Sequence, residues 1–142
     1  MSMESIRVLI VDDLQPVREG VATLLKLASR TVTPKIEIVG EAQEGGEAIR
    51  QAQALHPDVV LMDLEMPGMD GYEATRRIKA ERPAPRVIIL SIHNGPEALQ
   101  RARAAGADDF IIKGATYQIL LDTILKRDAE NHLFDHKKGE KI

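Results

Sequence analysis

Short runs of aliphatic residues alternate along this chain with longer stretches whose apolar positions recur every three or four residues. The first kind predicts buried strands and the second predicts amphipathic helices. Ile6 to Val11 reads as the first strand. A helix follows from Pro16, a residue suited to a first helical turn, with Val17, Val21, Leu24, Leu25 and Ala28 on its apolar face. Ser29 to Pro34 reads as a loop, and Lys35 to Ala42 as the second strand. Glu44-Gly45-Gly46 turns into a second helix that points Ala48, Ile49, Ala52 and Leu55 inward. His56-Pro57-Asp58 stops it, because Pro disfavours helical geometry in the residue before it.

The third strand is Val59 to Asp63, followed by Glu65-Met66-Pro67-Gly68-Met69-Asp70-Gly71, a loop dense in turn residues. A third helix spans Tyr72 to Ala80, with Ala74, Thr75 and Ile78 on one side. Pro83 and Pro85 bracket the break before the fourth strand, Arg86 to Ser91. Asn94-Gly95-Pro96 opens a fourth helix reaching Ala105, whose inward face of Ala98, Ala102 and Ala105 is small. Gly106 suits a left-handed cap there. Asp109 to Lys113 is the fifth strand, and the fifth helix, from Thr116, carries Tyr117, Leu120, Leu121, Ile124 and Leu125. Beyond Asp128 the pattern fades, so residues 129–142 read as a polar tail or linker after one domain over residues 5–128.

Strands that alternate with helices imply a parallel sheet with right-handed crossovers. The expected fold is α/β, a flavodoxin-like doubly wound (βα)5 with a five-stranded parallel sheet in the order 2-1-3-4-5. That order sets strands 1 and 3 side by side at the switch point, and the crevice lies beyond the carboxyl ends of the strands.

Those ends carry the chemistry. Strand 1 runs into Asp12 and Asp13, strand 3 into Asp63, strand 4 into Ser91 and strand 5 into Lys113. One crevice would hold three carboxylates, a hydroxyl and an amine. Carboxylates packed together resist full ionisation unless a cation joins them. Oxygen donors favour Mg²⁺ or Ca²⁺ over zinc, and Mg²⁺ keeps waters and borrows phosphate oxygens. A carboxylate can also act as nucleophile and form an aspartyl-phosphate. A metal, an ammonium and a hydroxyl would then stabilise charge on the transferring group. Asp63 is the best nucleophile candidate, standing at the end of a near-continuous apolar strand.

Bulk properties narrow the setting. With 142 residues one domain is expected. There is no Cys, so neither disulfides nor thiolate metal sites arise. The 22 acidic and 19 basic residues give a net charge of −3, unlike the basic footprint of a nucleic-acid binder. No apolar stretch approaches the roughly 20 residues of a membrane span, and Met1-Ser2-Met3-Glu4 lacks a signal-peptide layout. A cytoplasmic protein is expected, with no membrane contact and no direct nucleic-acid binding by this chain.

The residues also resemble a known family. Val8-Leu9-Ile10-Val11-Asp12-Asp13, the segment Asp58 to Gly71, Leu90-Ser91 and Gly106-Ala107-Asp108 leading to Lys113 are similar to the receiver (REC) domain of two-component response regulators. The resemblance covers Ile6 to Lys126. It implies that Asp63 is the phosphoacceptor and that Asp13 binds Mg²⁺ directly, with Asp12 acting largely through water. It implies a backbone carbonyl from Glu65 as a further metal ligand, and Ser91 and Lys113 on the phosphoryl group. Phe110 resembles the switch aromatic. The implied partners are a histidine kinase or phosphotransfer protein, an output domain in a longer parent chain, and a homodimer formed on phosphorylation. Gly40-Glu41-Ala42, Leu90 to His93 and Gly106-Ala107-Asp108 look most like receivers that precede a LuxR/NarL-type helix-turn-helix domain. The lysine is usually followed by Pro, whereas Gly114 stands here.

Plainer readings exist for each residue. Asp12 and Asp13 are good helix caps, Ser91 can cap the next helix, and a single lysine is usually solvated. Their joint occurrence at successive strand ends favours the functional reading. His93 lies near the site mouth and is a candidate modulator of phosphoryl lifetime. His56 reads as a helix-end residue, and His132 and His136 as part of a solvated tail. A signalling switch, not an enzyme acting on external substrates, is the expected function. A dehalogenase-like phosphohydrolase would want an acid where Leu14 stands, and a phosphorylation-independent interaction module would normally have lost an acid or the lysine.

Overall fold

The computed structural model describes residues 5–125. Five βα units follow one another: β1 (Ile6–Val11), α1 (Gln15–Ala28), β2 (Ile36–Ala42), α2 (Gly45–Leu55), β3 (Val59–Asp63), α3 (Gly71–Ala80), β4 (Arg86–Ser91), α4 (Pro96–Ala104), β5 (Asp109–Ile112) and α5 (Tyr117–Ile124). The strands form one sheet in the order β2-β1-β3-β4-β5, and every pairing is parallel. This is the flavodoxin-like topology expected from the alternating pattern.

Strand periodicity divides the core into two layers. Val8, Ile10, Val59, Leu61, Ile88 and Ile111 face one side, where Ala22 and Leu25 of α1 and Leu120, Leu121 and Ile124 of α5 cover them. Leu9, Val11, Val60, Met62, Val87, Ile89 and Phe110 face the other, under Ala48 and Ala52 of α2, Ala74 and Ile78 of α3 and Ala102 of α4. Small helix residues on this second face meet large strand residues, so the helices sit close. Strands covered on both faces have no polar side to show, hence their continuous apolar runs.

Two arginines fasten helix ends at the amino-terminal edge of the sheet. Arg7 donates to the carbonyls of Leu55 at 2.7 Å and His56 at 2.8 Å, closing α2. Arg86 donates to the carbonyl of Thr123 at 3.0 Å and to that of Ile124, closing α5. Last-turn carbonyls lack helical partners, so these side chains satisfy them. His56 takes φ 50° as the cap of α2, in keeping with its reading as a helix-end residue.

The remaining differences are local. Ser29–Thr31 is a 3₁₀ turn within the expected loop, and the Ser29 hydroxyl accepts from the Ile36 amide at 2.9 Å. Leu24, expected on the apolar face of α1, is 45% exposed, and Tyr117, carried by α5, is 54% exposed. The stripe of α1 that meets the sheet is centred on Ala22 and Leu25, narrower than the apolar stripe in the sequence. Lys126, the boundary at 128 and the tail 129–142, with His132 and His136, lie outside the described residues.

Candidate functional site

The carboxyl ends of β1, β3, β4 and β5 meet on one edge of the sheet. β1 and β3 are direct neighbours, with Val11 opposite Met62. Asp12 and Asp63, the next residues along these strands, are therefore adjacent although distant in sequence. One carboxylate oxygen from each of Asp12, Asp13 and Asp63 lies within 4.8 Å of the others. Asp12 and Asp63 are buried, and Asp13 is half-buried.

Lys113 bridges the acids. Its backbone amide donates to the Ser91 carbonyl at 2.8 Å, extending the ladder one step past β5. Its ammonium then donates to Asp12 Oδ2 at 3.1 Å and Asp63 Oδ1 at 3.1 Å. The Glu65 amide also donates to Asp63 Oδ1, at a longer 3.4 Å. Burial raises the Asp63 carboxyl above its usual 3.8, and the Asp12 charge adds to the rise. The Lys113 bond and the Glu65 amide oppose this without cancelling it. Burial also disfavours the Lys113 ammonium, but the bonds to Asp12 and Asp63 outweigh it and hold its pKa above the usual 10.5.

Three carboxylates against one ammonium leave excess negative charge in a partly dehydrated site. The all-oxygen donor set and the half-open Asp13 fit a hard divalent cation that retains water. Asp12, Asp13 and Asp63 are the residues that could hold it.

The loop that follows β3 depends on two residues near the start of α3. Asp70 caps that helix by accepting from the Glu73 amide at 2.9 Å. Gly71 lies against the backbone of β3: a Cβ there would overlap the Asp63 carbonyl oxygen and come within 2.7 Å of Leu64 Cα. The loop therefore tolerates only glycine where α3 leaves the site. The sequence marks Gly71 as a turn residue but does not show this contact, since close backbone approach has no pattern of its own.

The other expected residues surround this centre. Ser91 is buried, its hydroxyl accepting from the His93 amide at 3.0 Å. His93 Nε2 lies 2.7 Å from Glu65 Oε2, and both side chains line an open cavity of about 370 Å³ with Ser91, Tyr72, Glu97 and Arg101. Phe110 is fully buried in the core layer under α2, α3 and α4. Across the same cavity the Arg101 guanidinium sits 4.1 Å from the centre of the Tyr72 ring, and the Tyr72 hydroxyl donates to the Ala98 carbonyl at 3.4 Å. Gly114, after the lysine, has φ +97° in open space, a backbone state glycine adopts freely.

The architecture and this strand-end constellation define a receiver. The chain matches the family model of the response regulator receiver domain over residues 8–125 and belongs to that family. It is similar to the transcriptional regulatory protein LiaR of Bacillus subtilis, with 40% identity over 137 residues, 96% of this chain and 63% of that protein. The chain thus spans less than two-thirds of that relative's length. Among solved structures it is similar to the signal receiver domain of the putative response regulator NarL from Mycobacterium tuberculosis. The TM-score there is 0.76 at 34% identity, covering 87% of this chain and 99% of the other. A CheX-CheY-BeF3-Mg²⁺ complex from Borrelia burgdorferi gives a TM-score of 0.74 at 25% identity, covering 85% and 87%. LiaR and NarL bear out the expected likeness to receivers of the LuxR/NarL type.

Proposed function

We propose that this receiver is a phosphorylation switch that takes a phosphoryl group from a histidine kinase or phosphotransfer protein onto Asp63 with Mg²⁺. The observation that carries the reading is the bridge from Lys113 to both Asp12 and Asp63, 3.1 Å each, beside Asp13. Lys113 and the Glu65 amide both engage Oδ1 of Asp63, which leaves Oδ2 to attack phosphorus. As the new O–P bond forms, the P–N bond to the donor imidazole breaks and its electron pair returns to the ring nitrogen. Bound Mg²⁺ would neutralise charge on the phosphoryl oxygens. Lys113 then exchanges a carboxylate for a phosphoryl oxygen, and the Ser91 hydroxyl turns from the His93 amide toward the same group. The Glu65 carbonyl would complete the metal's protein ligands. The neighbour solved with BeF3 and Mg²⁺ supports this assignment by analogy.

The output surface is the α4-β5-α5 face. Only Ala102 of α4 is fully buried, so this helix has little holding it in place. Movement of Ser91 and a rearrangement of Phe110 would shift α4 and change affinity for an output domain, a partner or a second copy. Ligation drives such a shift only by binding one state better than the other. The chain acts in the cytoplasm as a switch that assists its own phosphotransfer and dephosphorylation. No helix among the described residues is long and apolar enough to cross a membrane.

The test is amide NMR with beryllofluoride and Mg²⁺. Shifts at Ser91, Lys113 and along α4-β5-α5, abolished in Asp63→Asn, are expected. Changes confined to the metal ligands would overturn the switching face.

A further inference from the structure

Arg18, on the first turns of α1, touches the acidic site through its backbone. Its Nη1 donates to the Asp12 carbonyl at 2.7 Å, and its Nε donates to Glu41 Oε1 at 3.0 Å. The side chain is largely buried. Glu41 is itself fixed, since its carbonyl accepts from Gln51 Nε2 at 2.7 Å. We infer that Arg18 is a positioning residue for the metal site: by gripping the peptide between Asp12 and Asp13 it sets where the Asp13 carboxylate points. The inference deepens the metal-dependent reading above and rests on it.

The peptide bond is planar, so holding the Asp12 carbonyl also fixes the Asp13 amide and the plane from which Asp13 departs. The rest of Asp12 is already tied down. Its amide donates to the Ala42 carbonyl at 3.0 Å, Oδ1 accepts from the Leu14 amide at 3.0 Å, and Oδ2 accepts from Lys113. Among the described residues the Asp13 carboxylate has no comparable set of anchors, so its direction is inherited from that peptide. Glu41 offsets the guanidinium charge. A cation is thus held near a cation site with its repulsion reduced. The planar fork of Arg reaches both acceptors at once, whereas a Lys ammonium is a single point charge.

The test is a Mg²⁺ titration of the full chain, followed by calorimetry and by the Asp13 amide shift, for the unaltered protein, Arg18→Gln and Arg18→Lys. Melting of each protein in chelator establishes that it is folded. Positioning predicts that Arg18→Gln weakens Mg²⁺ about tenfold or more, the range typical of residues that orient metal ligands. Arg18→Lys, which keeps the charge, is expected to weaken binding by a smaller factor. The Asp13 amide resonance moves in both variants before metal is added. Mg²⁺ binding by the unaltered chain with an unchanged constant in Arg18→Lys and tighter binding in Arg18→Gln would mean that Arg18 acts only as a repelling charge, and would overturn the inference. Absence of Mg²⁺ binding by the unaltered chain would instead overturn the metal-dependent reading itself.

Discussion

At the residue scale, the site is built by placing like charges together and letting one lysine answer for them. Asp63 is 4% exposed, and its carboxyl is harder to ionise than a free one because burial and Asp12 outweigh Lys113. A raised carboxyl pKa means that the folded protein holds its proton more tightly than the unfolded chain. Stability from this group is therefore fullest at low pH and declines as pH rises from 3.8 through the raised value. Asp63→Asn should accordingly melt higher than the unaltered chain at neutral pH in chelator, with the gap closing as pH falls toward 3.8. A lower melting temperature for the variant at neutral pH would contradict this. Gly71 presents the opposite case, a residue defined by what cannot be added. Gly71→Ala drives a methyl into the Asp63 carbonyl and Leu64, so a loss at or beyond the upper end of roughly 1–3 kcal/mol is expected in denaturant melts. The phosphoryl uptake proposed for Asp63 should fall with it, since the same contact shapes the loop that follows β3.

At the scale of elements, α4 buries only Ala102, the fewest residues of the five described helices, and side chains clip it to its neighbour. The stack of Arg101 on Tyr72 and the bond from Tyr72 to the Ala98 carbonyl join α3 to α4. A cation–π contact at an exposed site contributes about 0.5–1 kcal/mol. Tyr72→Ala should therefore speed hydrogen exchange along Pro96–Ala104 several-fold while leaving β1 and β3 unchanged. Equal protection of α4 in both proteins would show that the clip does not restrain it. The order and type of elements were legible in the sequence because buried parallel strands and amphipathic helices have distinct periods. Boundaries moved by a residue or so, as at Ile36 and Ile112, where the ladder decides and not the local pattern. Leu24 was misjudged because periodicity gives a face but not how much of it a neighbour covers. The strand-end acids and Lys113 were legible as types at topologically convergent positions. Arg18, Gly71, Arg7 and Arg86 were not, because each acts on a backbone group that only the folded chain brings near.

At the scale of the molecule, the two-layer core holds the sheet edge as a fixed platform while one helix on its second face is weakly held. On the proposed reading, that division would let a charge added at Asp63 be read at α4-β5-α5 without remaking the fold. The central claim is chemical: Asp63 accepts one phosphoryl group in a Mg²⁺-dependent step. The direct measurement is intact mass after incubation with acetyl phosphate and Mg²⁺, for the unaltered chain and for Asp63→Asn. The account predicts a gain of one phosphoryl group that is absent in the variant and absent when the metal is chelated. No gain in the unaltered chain, or an equal gain in Asp63→Asn, would contradict it.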